Sequence, residues 1–333
     1  MCQNRPPCCE VERGEVMKKT WYLIIGVVLL VIGCIAYGYH EHYKPKTAQE
    51  LKTVRVAYLP ITHALPVFAT KELETADGPV HVELVKYGSW PELMDALNTG
   101  KVDAASVLVE LGVKAREQGI DVRAAALGHT EGNIIIVNKD INSVQDLKGK
   151  SFAIPHKQST QKILVDCMLE QAGLSEKDVQ IVEMSPPEMP SALSVGQIAG
   201  YSVAEPFGSL ALEMGTGKVF EDPDHLWHDN ICCALVFNGQ FVDEHHDLAK
   251  AFTKAYLDAG TYLDEHPKAQ EEISSKYMKF NDSVIERSLK VIGFKDLALT
   301  EDRYNALVHH MTHIDLIKKV PSYSEFVDQS LLP

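Results

Sequence analysis

Two stretches read almost as copies of each other: Pro91-Glu-Leu-Met-Asp-Ala-Leu-Asn-Thr-Gly-Lys-Val-Asp-Ala-Ala-Ser-Val107 and Pro187-Glu-Met-Pro-Ser-Ala-Leu-Ser-Val-Gly-Gln-Ile-Ala-Gly-Tyr-Ser-Val203. They align without a gap at an offset of 96, and Pro, Glu, Ala, Leu, Gly, Ser and Val recur at matched positions. Each reads as a helix, a glycine suited to a left-handed cap, and a short strand. Upstream, Val82–Val85 and Val179–Val182 match with a one-residue slip. Two copies exclude a solenoid, which needs about three or more repeats. They fit two similar α/β lobes facing each other.

Outward from the repeat, strands are expected at Val54–Tyr58, Val80–Lys86, Val102–Val107, Val122–Leu127, Asn133–Val137, Ser151–Ile154 and Val179–Val182. Helices are expected from Ala64 and over Trp90–Thr99, Val109–Glu117, Ser159–Ala172 and Pro187–Val195. Such alternation implies an α/β fold with largely parallel sheets flanked by helices. Ile231–Phe237 is an apolar, strand-like run, and its Cys232-Cys233 pair reads as buried small hydrophobes. From Phe241 the chain turns helical, with segments at Phe241–Glu265, Pro267–Tyr277, Ser283–Gly293 and Glu301–Ile317. This tail is expected to pack on the first lobe. The expected division is a sorting segment at 1–34, a tether at 35–52, lobe one at 53–138 plus 239–333, and lobe two at 139–238.

The 333 residues are 45% hydrophobic and 23% charged, which is ordinary for a globular chain. Lys plus Arg is 32 against 46 for Asp plus Glu, a formal charge of -14, and no basic cluster occurs. A nucleic-acid partner is therefore not expected. The net charge does not exclude an anionic ligand, because a pocket's local field can oppose it.

Lys18 and Lys19 precede an uncharged stretch, Trp21–Tyr39, in the manner of an export signal. The segment Val31-Ile-Gly-Cys34 resembles the bacterial lipobox, which implies a lipid on Cys34. The other reading is an uncleaved membrane anchor, since 19 uncharged residues nearly span a bilayer. Both place the remaining chain outside the cytoplasmic membrane. Residues 1–16, with Cys2, Cys8 and Cys9, do not suit a signal, and Met17 reads better as the start.

An exported lipoprotein with two duplicated α/β lobes and a helical tail resembles a type II periplasmic-type solute-binding protein. Val56-Ala-Tyr-Leu-Pro-Ile-Thr-His-Ala-Leu-Pro-Val67 resembles the first strand and ligand loop of the nitrate/sulfonate/taurine group. Ala96–Ala104, Ser143–Ala153, Pro186–Leu193 and Gly200–Phe207 resemble further segments of that group, in the same order. The resemblance spans roughly residues 53 to 330. It implies a two-lobed fold that captures a small solute for an ABC permease and its ATPase, as a monomer, with no cofactor. Nitrate, a sulfonate or taurine, and a thiamine-type pyrimidine remain open as solute. An extracellular sensory module on the same fold is the alternative function.

In open α/β sheets ligands bind beyond the carboxyl ends of the strands. That rule selects Thr62 and His63 after the first strand, Ser89 and Trp90 after the second, and Ser106 in the third. In the second lobe it selects Ser159, Thr160 and Gln161 at a helix start, and Glu205 after the repeated strand. His63 either meets the ligand or caps the following helix. Trp90 is either a pocket wall or a core plug. The free N–H groups of the Ser159 helix could hold an anion, although capping alone explains Ser159. Glu205 either accepts from a ligand N–H or pairs within the protein. Glu110 is taken simply to begin a helix, and His129 to be structural.

No metal site is expected. His309 and His313 share a helix face, but no third ligand joins them and His-Glu-x-x-His is absent. The Asp222–His228 segment, rich in Asp and His, reads as loop. No P-loop, G-x-S-x-G or dinucleotide fingerprint occurs, so no catalytic residue is assigned.

Overall fold

The computed structural model describes residues 21–22, 25–34 and 52–333. The chain divides into two units, 1–51 and 52–333. In the first, residues 25–34 are helical and Cys34 is exposed. Among the described residues no helix is long and apolar enough to cross a membrane. The start at Met17, residues 1–16 and all but the last residue of the 35–52 tether lie outside the described residues.

The second unit is built on two five-stranded sheets. The first contains β1 (Thr53–Tyr58), β2 (His81–Lys86), β3 (Ala104–Leu108), β4 (Val122–Leu127) and β11 (Cys233–Asn238), in the order β2-β1-β3-β11-β4. The second contains β6 (Asn133–Asn138), β7 (Ser151–Ile154), β8 (Gln180–Glu183), β9 (Gly200–Ala204) and β10 (Gly217–Glu221), in the order β10-β6-β9-β7-β8. The two orders are the same pattern read in opposite directions. In each sheet three parallel strands are followed by one antiparallel strand and a fifth strand beyond it. The sequence repeat maps onto β3 and β9, the central strands. Each is preceded by its helix, Trp90–Asn98 or Met189–Ser194, and by a left-handed glycine, Gly100 at φ 71° or Gly196 at φ 71°.

The antiparallel strands correct the expected boundaries. β6 belongs to the second sheet and β11 to the first, so the chain changes sheets before residue 133 and again before residue 233, not at 138 and 238. Each crossing segment enters the opposite sheet and runs against its neighbours. Hydrophobic periodicity marks these runs as strands but carries no information about which sheet receives them.

The helix Trp90–Asn98 shows why the layers form. Trp90, Leu93, Met94 and Leu97 are buried at helical spacing, while Glu92 and Asp95 face out. Pro91 sits in the first turn, where its missing N–H costs nothing.

The tail departs from expectation in two ways. Phe241–Glu265 is two helices, Gly239–Glu244 and His246–Glu265, broken at His245, whose backbone is non-helical at φ -138° and ψ 42°. The tail also reaches both sheets' helices. Tyr256 donates to the Leu127 carbonyl at the end of β4 (3.2 Å). Phe280 packs edge-on against Phe207 beside β9, and the His313 ring lies 3.1 Å from Glu170. A two-stranded ribbon pairs β12 (Ile292–Gly293) with β5 (Thr130–Glu131), which ties the tail to the first crossing.

Candidate functional site

The carboxyl ends of β1, β3 and β4 lie on one edge of the first sheet. Because β11 is antiparallel, its amino end joins that edge, with Cys233 opposite Leu108 and Ala234 opposite Leu127. In the second sheet β6 does the same: its first residue, Asn133, pairs with Ala204 at the end of β9. The two crossings thus deliver His129, Asn133, Cys232 and Cys233 to the strand ends where ligands bind in such sheets.

Loops of the two sheets are joined by buried hydrogen bonds. The Thr62 amide and hydroxyl both donate to the Glu205 carbonyl, at 3.0 and 2.9 Å. The Glu205 carboxylate accepts from the Ser209 amide and hydroxyl, each at 2.9 Å. Burial nevertheless raises the Glu205 carboxyl above the usual carboxylate range. Thr62 and Glu205 therefore spend these polar groups within the protein.

Ser159 is fully occupied as a helix cap. Its hydroxyl donates to the His156 carbonyl (2.6 Å) and accepts from the Lys162 amide (3.2 Å). Replacing it by alanine should cost about 0.5–2 kcal/mol of stability and leave solute affinity unchanged. Denaturant titration alongside a binding isotherm checks both; a selective loss of affinity would assign Ser159 to the ligand instead.

Thr160 and Gln161 point elsewhere. The Thr160 hydroxyl lies within bonding distance of a Glu110 carboxyl oxygen and 2.8 Å from the Ile231 carbonyl. One hydroxyl proton cannot serve both acceptors. A protonated Glu110 resolves the conflict by donating to Thr160. Burial, then the neighbouring Cys232 sulfur, indeed holds the Glu110 carboxyl well above the usual range. The Gln161 amide donates to Asn133 (2.6 Å) and approaches the Cys232 sulfur (3.4 Å). Asn133 in turn donates to Asn230 (3.1 Å). Asn133 and Asn230 also line a cleft of about 460 Å³ with Glu131, Glu221, Asp222 and Asp224.

Several buried polar atoms have no partner among the described residues: Trp90 Nε1, Ser106 Oγ, Glu110 Oε2, Gln161 Oε1 and both ring nitrogens of His129. Most buried polar groups in proteins are paired; Asn98 Oδ1 and Ser274 Oγ are open as well. Ser202, the repeat partner of Ser106, is open too. Ser89 is half-buried at the start of the Trp90 helix, without a side-chain cap bond.

The sequence reading passed over Glu110, His129, Asn133 and the two cysteines as ligand groups. Cys232 and Cys233 are buried as expected, but their thiols face the buried His63 and His129 rings. His63 Nε2 lies 2.9 Å from the Gly132 carbonyl, and its Nδ1 lies 3.6 Å from each sulfur. Burial, then the adjacent His63, pulls His129 down to about 4, so its ring is neutral near pH 7. Apart from the adjacent cysteines, no local spacing joins these four residues. The one available signal was topological, since each stands at a predicted strand end. The other histidine groupings are dispersed: His313 faces Glu170, His310 lies against Trp227, and the exposed His228 bonds Asp224 at 2.9 Å.

The NMT1-like family matches residues 47–277, and the chain belongs to it. A putative aliphatic sulfonates-binding protein of Bacillus subtilis is 28% identical over 285 residues, covering 82% of this chain and 82% of that protein. A nitrate import ATP-binding protein of Synechocystis is 25% identical over 239 residues, covering 65% of this chain; the chain spans only 36% of that longer protein. A ligand binding component of an ABC-type import system from Staphylococcus aureus, crystallised with zinc bound, is 35% identical. It covers 84% of this chain and 97% of its own, with a TM-score of 0.80.

Proposed function

We propose that this protein is the extracytoplasmic solute-binding component of an ABC importer, a carrier and not an enzyme. It captures a small solute between its two lobes and presents it to a permease driven by an ATPase. Family membership and the named roles of the relatives support this reading.

The observation that carries the solute class is the mixed set of open buried groups. Trp90 Nε1 can only donate and Gln161 Oε1 can only accept, while Ser106 can do both. Among the described residues no Lys or Arg nitrogen bonds to any of them. Lys157, near the Ser159 helix, is exposed and lies 3.9 Å from Glu183. Nitrate only accepts hydrogen bonds and would leave Gln161 unmatched. A solute bearing both an acidic oxyanion and an N–H group, such as an aminoalkyl sulfonate, matches both kinds. A thermal-shift screen over nitrate, alkanesulfonates, taurine and pyrimidines tests this. A true solute at 100 times its dissociation constant stabilises by about 2.7 kcal/mol. Stabilisation by nitrate alone would overturn the mixed-group reading, and stabilisation by none would overturn the carrier reading.

The proposal extends to sorting, with Cys34 as the site of lipid attachment and the lipid holding the protein at the outer face of the membrane. Cys34→Ala should then appear in the medium or lack the membrane fraction. Mass spectrometry should find a diacylglyceryl adduct on Cys34 of the parent; a mature protein that retains the residues before Cys34 would reject the lipid.

A further inference from the structure

We propose that His63, His129, Cys232 and Cys233 form a binding site for a resident transition-metal ion of borderline to soft character, with Zn²⁺ as the best match. The donor atoms all lie within 4.8 Å of one another, and the four residues are buried.

The separations among the two sulfurs and His63 Nδ1 match one face of a tetrahedron. The two sulfurs are 3.9 Å apart, and each is 3.6 Å from His63 Nδ1. Tetrahedral zinc with Zn–S of about 2.3 Å and Zn–N of about 2.0–2.1 Å requires S···S of about 3.8 Å and S···N of about 3.6 Å. His129 is the fourth candidate donor, on the first crossing: its ring packs against that of His63 with centroids 3.6 Å apart, so it has to turn toward the ion to complete the tetrahedron.

The tautomer of His63 agrees. Its Nε2 faces the Gly132 carbonyl at 2.9 Å and must carry the proton. Nδ1 therefore presents its lone pair to both sulfurs. A ligating histidine whose other nitrogen donates to a backbone carbonyl is the usual outer-shell arrangement of metal sites. Without an ion, Nδ1 accepts from one thiol at most, and neither nitrogen of the buried His129 has a well-formed hydrogen bond among the described residues. An ion satisfies all four groups at once.

Charge agrees as well. Two thiolates and two neutral imidazoles around a divalent cation sum to zero, which is what a buried set requires. Binding releases the two thiol protons to solvent. Cys232 precedes β11 and is not part of its pleat, which frees it from the strand alternation that would turn adjacent side chains to opposite faces. The cleft lined by Glu131, Glu221, Asp222 and Asp224, with Lys290 as its one cation among the described residues, has a net negative lining, which attracts cations.

His129 lies on one crossing between the sheets and Cys232 on the other. The ion would clamp both crossings to the His63 loop. This inference is independent of the solute reading: the site has four protein ligands and no open position.

The test uses the full chain in detergent, reduced and stripped of metal. Zn²⁺ is titrated against a chromophoric chelator, and Co²⁺ is used as a spectroscopic probe. One equivalent per chain is expected, with thiolate-to-cobalt charge-transfer absorption and tetrahedral d–d bands. The Cys232→Ser/Cys233→Ser double variant should lose the charge-transfer absorption and bind Zn²⁺ at least 100-fold more weakly. His129→Asn should weaken Zn²⁺ at least 10-fold while the cobalt–thiolate absorption persists. Folded, reduced parent protein that binds neither metal stoichiometrically would overturn the proposal. So would unchanged binding by the double variant, or a Cys232–Cys233 disulfide in protein isolated from its membrane. Solute binding measured with and without Zn²⁺ judges the carrier reading separately.

Discussion

Trp90→Ala should be among the most damaging single changes to this protein, costing about 3–5 kcal/mol of stability as a large buried side chain truncated to alanine. Trp90 is 3% exposed and packs in the main core, so this loss comes first from area and cavity. Its indole N–H, however, is buried without a partner. Such a donor costs the free protein about 1–3 kcal/mol, and a solute that accepts from it recovers the penalty. Trp90→Phe separates the two roles. It keeps most of the ring and removes the orphan donor. The free variant should be about as stable as the parent. Its solute affinity should fall about tenfold, equivalent to about 1.4 kcal/mol. Denaturant unfolding and a binding isotherm read the two quantities. If Trp90→Phe binds solute as tightly as the parent, the indole is a core plug and not a pocket wall.

Gly132→Ala should cost about 2–5 kcal/mol, combining about 1–2 for a left-handed non-glycine residue with about 1–3 for overpacking. Gly132 has φ 82°, and a Cβ there would lie 2.8 Å from Ile292 Cδ1 and 3.0 Å from His63 Nε2. Ile292 belongs to the ribbon that ties the tail to the first crossing. The added methyl therefore presses on the tail and on the His63 loop together. Gly119→Ala is the matched control: φ is 84°, but nothing lies within 4 Å. It should show the conformational cost alone. The two variants should unfold with the same denaturant slope and with midpoints separated by the steric part. Equal midpoints would mean that the crossing relaxes around the methyl at no cost.

Much of the architecture was legible in the chain itself. The 91–107 and 187–203 repeat implied two equivalent α/β halves, and its copies occupy the central strands of two sheets with the same strand pattern. Ser151–Ile154 falls where its apolar run predicts, and Ser159 caps the helix that follows. These features are local: period, capping residue and glycine position are written in consecutive residues. The site was legible only in part. The strand-end rule selected Trp90, Ser106 and Gln161, which are buried with open polar atoms, and Thr160, whose hydroxyl bonds within the protein. It also selected Thr62, Ser159 and Glu205, whose bonds turn out to close on the protein itself.

The sequence by itself determined that the chain has two α/β lobes and a helical tail. Only the tertiary structure decided where each crossing strand pairs, and hence which residues meet. β6 and β11 exchange sheets, and that exchange carries His129 and the Cys232–Cys233 pair to the edge that holds His63. The physical reason is that a strand's hydrophobic pattern fixes which residues face a core, while its pairing partner is fixed by backbone hydrogen bonds that any sequence can make. Residues separated by 169 positions, such as His63 and Cys232, become neighbours through that choice alone.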